Sequence, residues 1–178
     1  MDSRKEIRIW AMGKEGEVLG TLVPAFERLH PDIKVRVQAL PWTAAHEKLL
    51  TAFAGESLPD LCQLGNTWMP EFTALNALEE LTPWITQSKV VQAKDYFRGI
   101  WASNVFDNQV FGIPWYVDTR LLFYRKDLLE KAGYTSPPQT WHEWKTAMQQ
   151  IKKQVGPDKY AVLLPLNEFE PPIIFALQ

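Results

Sequence analysis

Two stretches in which apolar and polar residues alternate, Ile7 to Ala11 and Ile33 to Val37, flank a helical stripe and predict an α/β protein built on a parallel sheet. A third run, Asp60 to Leu64, shows little alternation, as expected of a strand with both faces buried. The composition agrees. Apolar residues make up 46% and charged residues 22% of 178, close to the globular average, which excludes disorder and allows one large or two small domains.

The elements follow in order. Ile7, Ile9 and Ala11 mark the first strand, with a loop expected at Met12 to Gly16. Val18, Leu19, Leu22, Val23, Phe26 and Leu29 recur at helical spacing, and Pro24 lies where the helix must start or kink. His30-Pro31-Asp32 breaks the chain before the second strand. Pro41-Trp42-Thr43 opens a helix with Ala45, Leu49, Leu50 and Phe53 on one face, ended by Gly55. The third strand ends at Gly65 to Trp68, and a helix is expected over Met69 to Leu78. Leu81 to Ile85 reads as a turn behind it, and Gln87 to Asn108 as a covering helix.

Val110 to Leu129 organises the remainder. A Gly112-Ile113-Pro114 step ends one extended run, a loop carries Trp115, Tyr116, Asp118 and Thr119, and a second apolar run, Leu121 to Tyr124, leads into a helix over Lys126 to Ala132 with Gly133 beyond it. This pattern reads as a crossing over residues 112–120, between a first lobe over 1–111 and a second over 121–178. Thr140 and Glu143 have capping-box spacing ahead of a stripe of Trp141, Trp144, Ala147, Met148 and Ile151. Tyr160 to Leu164 reads as a buried strand, Asn167 to Pro171 as the loop at its end, and Pro171-Pro172 as the start of a helix.

Several function classes are excluded. A net charge of −2 and a pI near 5.9 leave no basic footprint for nucleic acid or anionic membrane. The three histidines are scattered, and His46-Glu47 is followed by Leu50 where a zincin needs its second His, so no metal site is expected. Gly13 and Gly16 lack dinucleotide-binding spacing, and no P-loop or nucleophile elbow is present, so no cofactor is expected. The single Cys62, inside an apolar run, reads as a buried, inert thiol.

Eight Trp, five Tyr and nine Phe exceed what a core of this size needs, so some rings should face a ligand. In an open α/β sheet the ligand crevice lies at the carboxyl ends of the strands. Trp10, Lys14, Glu15, Trp42, Thr43, Asn66, Thr67 and Trp68 should converge there. Trp115 and Asp118 should face it from the crossing, and Glu168 and Glu170 from the last loop. Sugar rings pack their C–H faces on indoles while Asp, Glu, Asn and Thr hold the hydroxyls in plane. Each position also has a plainer reading: Trp10 and Trp42 as lids on the core, Asn66 to Trp68 as a helix-capping turn, Glu168 and Glu170 as a solvated loop. Trp84, Trp101, Trp141 and Trp144 are read as core.

Six motifs recur in a recognisable order: FERLHPDIKV at Phe26 to Val35, LPDL at Leu58 to Leu61, LTP at Leu81 to Pro83, GIPW at Gly112 to Trp115, LFYRKDLL at Leu122 to Leu129 and PQTWHE at Pro138 to Glu143. Together they resemble the family 1 extracellular solute-binding proteins, the sugar-binding receptors of ABC importers that include the maltose-binding proteins. The resemblance implies a periplasmic-binding-protein type II fold with a doubly wound sheet, two lobes closing on a sugar, no catalysis, and the membrane subunits of an ABC transporter as partners. It makes Gly112 to Pro114 a first hinge strand and implies a periplasmic or membrane-anchored protein whose leader is absent here. Where maltose-binding relatives carry an Asp-Arg pair after the third strand, this chain has Thr67-Trp68, which weighs against maltose.

Family members are longer, so the chain is expected to be truncated, holding most of lobe one and the start of lobe two. It should then bind sugar weakly or not at all, and complete its sheets by self-association. The rivals are a glycoside hydrolase fragment using Asp118 with Glu168 or Glu170, and a same-fold receptor for a polyamine or iron.

Overall fold

Strand β1 (Lys5–Met12) lies between β2 (Ile33–Leu40) and β3 (Leu61–Cys62) in a three-stranded parallel sheet of order β2-β1-β3. The computed structural model describes residues 4–165 and 170–177. It divides into two units, Met1–Asp118 and Thr119–Gln178, and the division falls inside the 112–120 segment.

The register sets Ile7 beside Val35, Ile9 beside Val37 and Met12 beside Leu40, so the alternation in both strands is in phase. Two helices, rather than one, join them: α1 (Gly13–Leu19) and α2 (Val23–Leu29). Pro24 sits in the first turn of α2, where its missing N–H forfeits no helical bond. Of the loop expected at Met12 to Gly16, Met12 ends β1 and Gly13 to Gly16 form the start of α1. Gly16 explains the close approach: a Cβ there would lie 2.5 Å from the Ala11 carbonyl oxygen and 3.0 Å from Ala39 Cα, so only glycine lets α1 rest on the strand backbones.

Helix α3 (Trp42–Ala54) presents Ala45, Leu49 and Ala52 to the sheet at i, i+4, i+7. Ala45 and Leu49 join Met12, Leu40 and Phe72 in the core, with Trp10, Cys62, Leu64 and Trp68 packed on its margin. Burial pushes the Cys62 thiol up to about 11, so the thiolate is scarce at neutral pH.

The third strand is shorter than expected and is not buried on both faces. Only Leu61 and Cys62 pair with β1, and Leu61 is 57% exposed. The Asp60 carboxylate accepts the Arg8 amide N–H at 2.7 Å, and the Arg8 guanidinium donates to the Leu58 carbonyl at 2.6 Å, so side chains take the groups a longer ladder would have used.

Helix α4 (Met69–Ala74) stops before Leu78 in a Schellman motif. Asn76 is left-handed (φ 54°), its N–H donates to Thr73 O at 3.0 Å, and the Ala77 N–H reaches Phe72 O at 2.9 Å. Beyond it, α5 (Thr82–Gln87) replaces the expected turn. A single 3-10 turn at Ala93–Asp95 and the short α6 (Arg98–Ala102) replace the expected covering helix.

A hairpin of β4 (Val105–Phe106) and β5 (Gln109–Val110) turns through Asp107 (φ 49°) and Asn108 (φ 63°), the two left-handed residues of a type I′ turn. It is fastened by Leu81 N–H to Val110 O at 2.6 Å and Val110 N–H to the Thr82 hydroxyl at 2.9 Å. At Gly112 a Cβ would meet Asn104 Oδ1 at 2.5 Å and Met69 Cε at 3.0 Å.

In the second unit, α7 (Lys126–Lys131) ends in a second Schellman motif around Gly133 (φ 92°). Helix α8 (Trp141–Val155) carries the expected capping box: the Thr140 hydroxyl accepts the Glu143 N–H at 3.2 Å, and the Glu143 carboxylate accepts the Thr140 N–H at 3.1 Å. Helix α9 (Glu170–Ala176) begins at the proline pair. Neither Leu121 to Tyr124 nor Tyr160 to Leu164 forms a strand, and Phe123, Tyr160 and Leu163 are exposed. No neighbouring strand flanks either run among the described residues, and an apolar run without a ladder partner leaves its amides to water. Trp84 and Trp141 are likewise exposed, not core, at the starts of short or surface helices. No helix among the described residues is long and apolar enough to cross a membrane.

Candidate functional site

The carboxyl ends of β1 and β3 are tied by one side chain. Gln63, one residue past β3, accepts the Met12 N–H on its Oε1 at 2.7 Å and donates from Nε2 to the Tyr116 hydroxyl at 3.1 Å. Its own amide donates to Trp10 O at 2.8 Å, which holds it in line with the ladder. Tyr116 in turn stands edge-on to Trp115, with ring centroids 5.9 Å apart.

Two carboxylates act electrostatically on that hydroxyl. Partial burial raises the Tyr116 phenol above its ordinary value, and the charges of Glu15 and Asp118 raise it further, while the Gln63 hydrogen bond opposes them. Glu15 on α1 and Asp118 on the crossing therefore act on one point. Both carboxylates can accept hydrogen bonds from a polyhydroxylated ligand.

A second aromatic pair flanks the first turn of α1. Gly13 is left-handed (φ 55°), and a Cβ there would lie 3.0 Å from Trp42 Nε1 and 3.5 Å from Glu15 Oε2. Trp42, the first residue of α3, thus covers the turn. Its ring centroid is 5.8 Å from that of Trp68, the N-cap of α4, at an interplanar angle of 59°. The Trp68 indole closes over Gly65 at 3.4 Å from a would-be Cβ. His46, one turn along α3 from Trp42, stands 5.1 Å from Trp68 and binds Glu71 through Nε2 at 2.6 Å.

Of the residues expected to converge, Glu15, Trp42 and Trp68 group about Gly13, Trp115 stands with Tyr116 beside Gln63, and Glu15 and Asp118 act electrostatically on Tyr116. Trp10 stands apart. Its ring lies under the Lys48 ammonium at 4.8 Å and lines a groove with Thr51 and Ser57. Lys48 is six residues along α3 from Trp42, roughly 9 Å at the helical rise. Trp10 is therefore a margin residue of the core. Lys14 is exposed and paired with Glu17 at 2.5 Å on its own helix, which raises its pKa. Thr43, Asn66 and Thr67 are exposed at the same end of the sheet, and neither Asn66 nor Thr67 caps α4, whose N-cap Trp68 makes no side-chain cap bond. Glu168 lies outside the described residues, as does the side chain of Glu170.

Sequence reasoning missed Gln63 and left Tyr116 unassigned. The available signal was position: a polar residue just past a strand end inside an otherwise apolar run. Among the described residues, no group of three or more His, Cys, Asp or Glu could hold a metal ion.

Comparison with known proteins gives this site its context. Residues 12–168 match the family described as bacterial extracellular solute-binding protein. The chain is similar to the sugar-binding protein MalE from Xanthomonas citri, at 59% identity and TM-score 0.80 over 98% of this chain and 44% of that one. The GacH receptor of Streptomyces glaucescens, solved unliganded and with acarbose, matches at 27% identity and TM-score 0.70 over 84% of this chain and 38% of its own. The diacetylchitobiose-binding protein DasA of Streptomyces coelicolor is 28% identical over 74% of this chain and 30% of its own length. The chain thus spans less than half the length of each relative. Its fold is that of the type II periplasmic binding proteins, and the chain belongs to the bacterial extracellular solute-binding protein family.

Proposed function

We propose that this chain belongs to the solute-binding component of a bacterial ABC importer and that its ligand is a sugar or oligosaccharide. The observation that carries the reading is the grouping of the Trp42–Trp68 pair, the Trp115–Tyr116 pair and the carboxylates of Glu15 and Asp118 at one end of the sheet. Indole and phenol faces suit the C–H faces of a sugar, and the two carboxylates suit its hydroxyls. The similarity to sugar-binding relatives, with 59% identity to one of them, supports the same class of ligand.

In this reading the protein binds and delivers without chemical change. Contacts made only in a closed state would shift the population toward it, and the transporter's membrane subunits would recognise that state. Asp118 accepts ligand hydroxyls rather than serving as a hydrolytic acid or nucleophile. The protein acts outside the cytoplasmic membrane, in the periplasm or on an anchor. A similar chain from Streptomyces antibioticus, 31% identical, is described as a lipoprotein.

Tryptophan fluorescence and calorimetry with malto-oligosaccharides, mannotriose, diacetylchitobiose and acarbose test this. The expected result is saturable binding of at least one sugar with no product released, weakened about tenfold or more by Asp118→Ala, the scale of a lost hydrogen bond to a charged group. Cleavage of a sugar overturns the reading in favour of a hydrolase, and saturable binding left unchanged by Asp118→Ala removes Asp118 from the site.

A further inference from the structure

His46 does not itself belong to the surface of tryptophans and carboxylates, yet it touches the structure beneath it at three points. Its ring is 5.1 Å from Trp68 and stands edge-on to the buried Phe72 at 5.9 Å. Its Nε2 lies 2.6 Å from the Glu71 carboxylate, an acceptor, so this nitrogen carries the proton and donates. Nδ1 faces the Glu47 carboxylate of its own helix at 3.9 Å. Glu47 and Glu71 are the charged groups found against the imidazole, one from α3 and one from α4.

Among the described residues, the contacts found for the Trp68 indole are with other rings, and as a donor-only group it cannot cap α4. Its neighbours are rings: Trp42 on one side and His46 on the other. Ring contacts alone leave a tryptophan free to slide, whereas a charge-assisted hydrogen bond fixes direction as well as distance.

We infer that His46, held by Glu71, is a positioning residue that sets the angle between Trp42 and Trp68 and so tunes the affinity of the site for its sugar. The binding part of this inference rests on the proposed function; the positioning part does not. The bond joins α3 to α4 directly below the pair, so its loss lets the two helix starts, and the indole carried by each, shift independently.

The test uses His46→Ala, His46→Gln and Glu71→Ala in the 178-residue chain, with Trp68→Phe marking the share of the near-ultraviolet circular dichroism that comes from the coupled indoles. The amide Nε2 of His46→Gln can replace the donor to Glu71. Glu71 is exposed, so Glu71→Ala takes nothing from the core and keeps the test open even where His46→Ala unfolds. The expected result is loss of the Trp68-dependent signal in His46→Ala and Glu71→Ala, recovery in His46→Gln, and a parallel loss and recovery of sugar affinity of about tenfold. An unchanged signal in Glu71→Ala, or failure of His46→Gln to recover it, overturns the inference. A chain that cleaves the sugar refutes the proposed function while the ligand-free spectra still decide the positioning role.

Discussion

The side-chain amide of Gln63 bridges the buried Met12 N–H at 2.7 Å and the Tyr116 hydroxyl at 3.1 Å, joining the end of the central strand to the aromatic loop. Met12 is fully buried, so its amide has no water to turn to once that acceptor is removed. Gln63→Ala should therefore lower stability by about 1–3 kcal/mol in urea unfolding. Gln63→Glu retains the acceptor and should cost less. Equal midpoints for Gln63→Ala and the parent chain would show that the bridge carries no weight.

Tyr116 provides a pH reading of the same bridge. Its folded pKa is raised, chiefly by burial and then by Glu15 and Asp118. The sign follows: a phenol with a raised folded pKa binds its proton more tightly in the native state. Its contribution is complete below about pH 10, the unfolded value, and is lost as pH rises through the folded one. Phenolate absorbance should show Glu15→Gln and Asp118→Asn each lowering this titration, and Gln63→Ala raising it. A titration indifferent to both carboxylates would remove them from the vicinity of the ring.

Gly13 and Gly133 form a natural pair of controls. Both are left-handed, but a Cβ on Gly13 meets the Trp42 indole at 3.0 Å, while one on Gly133 meets nothing within 4 Å. Alanine at either position should cost about 1–2 kcal/mol for the left-handed backbone. Only Gly13→Ala should also move the Trp42 emission maximum and weaken sugar binding. A spectral change from Gly133→Ala would undo the distinction.

Thr140→Ala should destabilise α8 by about 1 kcal/mol, read as loss of helical signal in the second unit on urea titration. The acid response is a separate matter. The Glu143 carboxyl is held below its usual value first by the Gln139 N–H and then by the Thr140 N–H, backbone groups that Thr140→Ala keeps. A depressed carboxylate stabilises above its unfolded pKa and loses that contribution as pH falls through the folded one. The loss should persist in Thr140→Ala and vanish in Glu143→Gln, as acid titration of the helical signal would show.

What the residues disclosed in advance was local and periodic. Ile7, Ile9, Val35 and Val37 announce two strands because alternation needs no knowledge of the rest of the chain, and Thr140, Glu143 and Gly133 announce helix ends because capping is settled within a few residues. What they concealed depends on distant neighbours. Gly16 sits inside α1 because Ala11 and Ala39 lie close beneath it, and the Asp60 carboxylate holds the Arg8 N–H beside the short third strand. Tyr160 to Leu164 is apolar enough for a strand, yet a strand also needs a partner. At the site, the tryptophans could be picked out by type, whereas Gln63 and His46 matter through what they hold.

The contact between Gly112 and Asn104 has a consequence for where the chain can leave the first unit. Asn104 is buried, its amide nitrogen donates to Ile100 O at 2.9 Å, and its Oδ1 occupies the space a side chain at 112 would fill. The outbound path toward Trp115 and Asp118 is thus keyed by a missing methyl group: a notch in the backbone that accepts one shape and refuses nineteen.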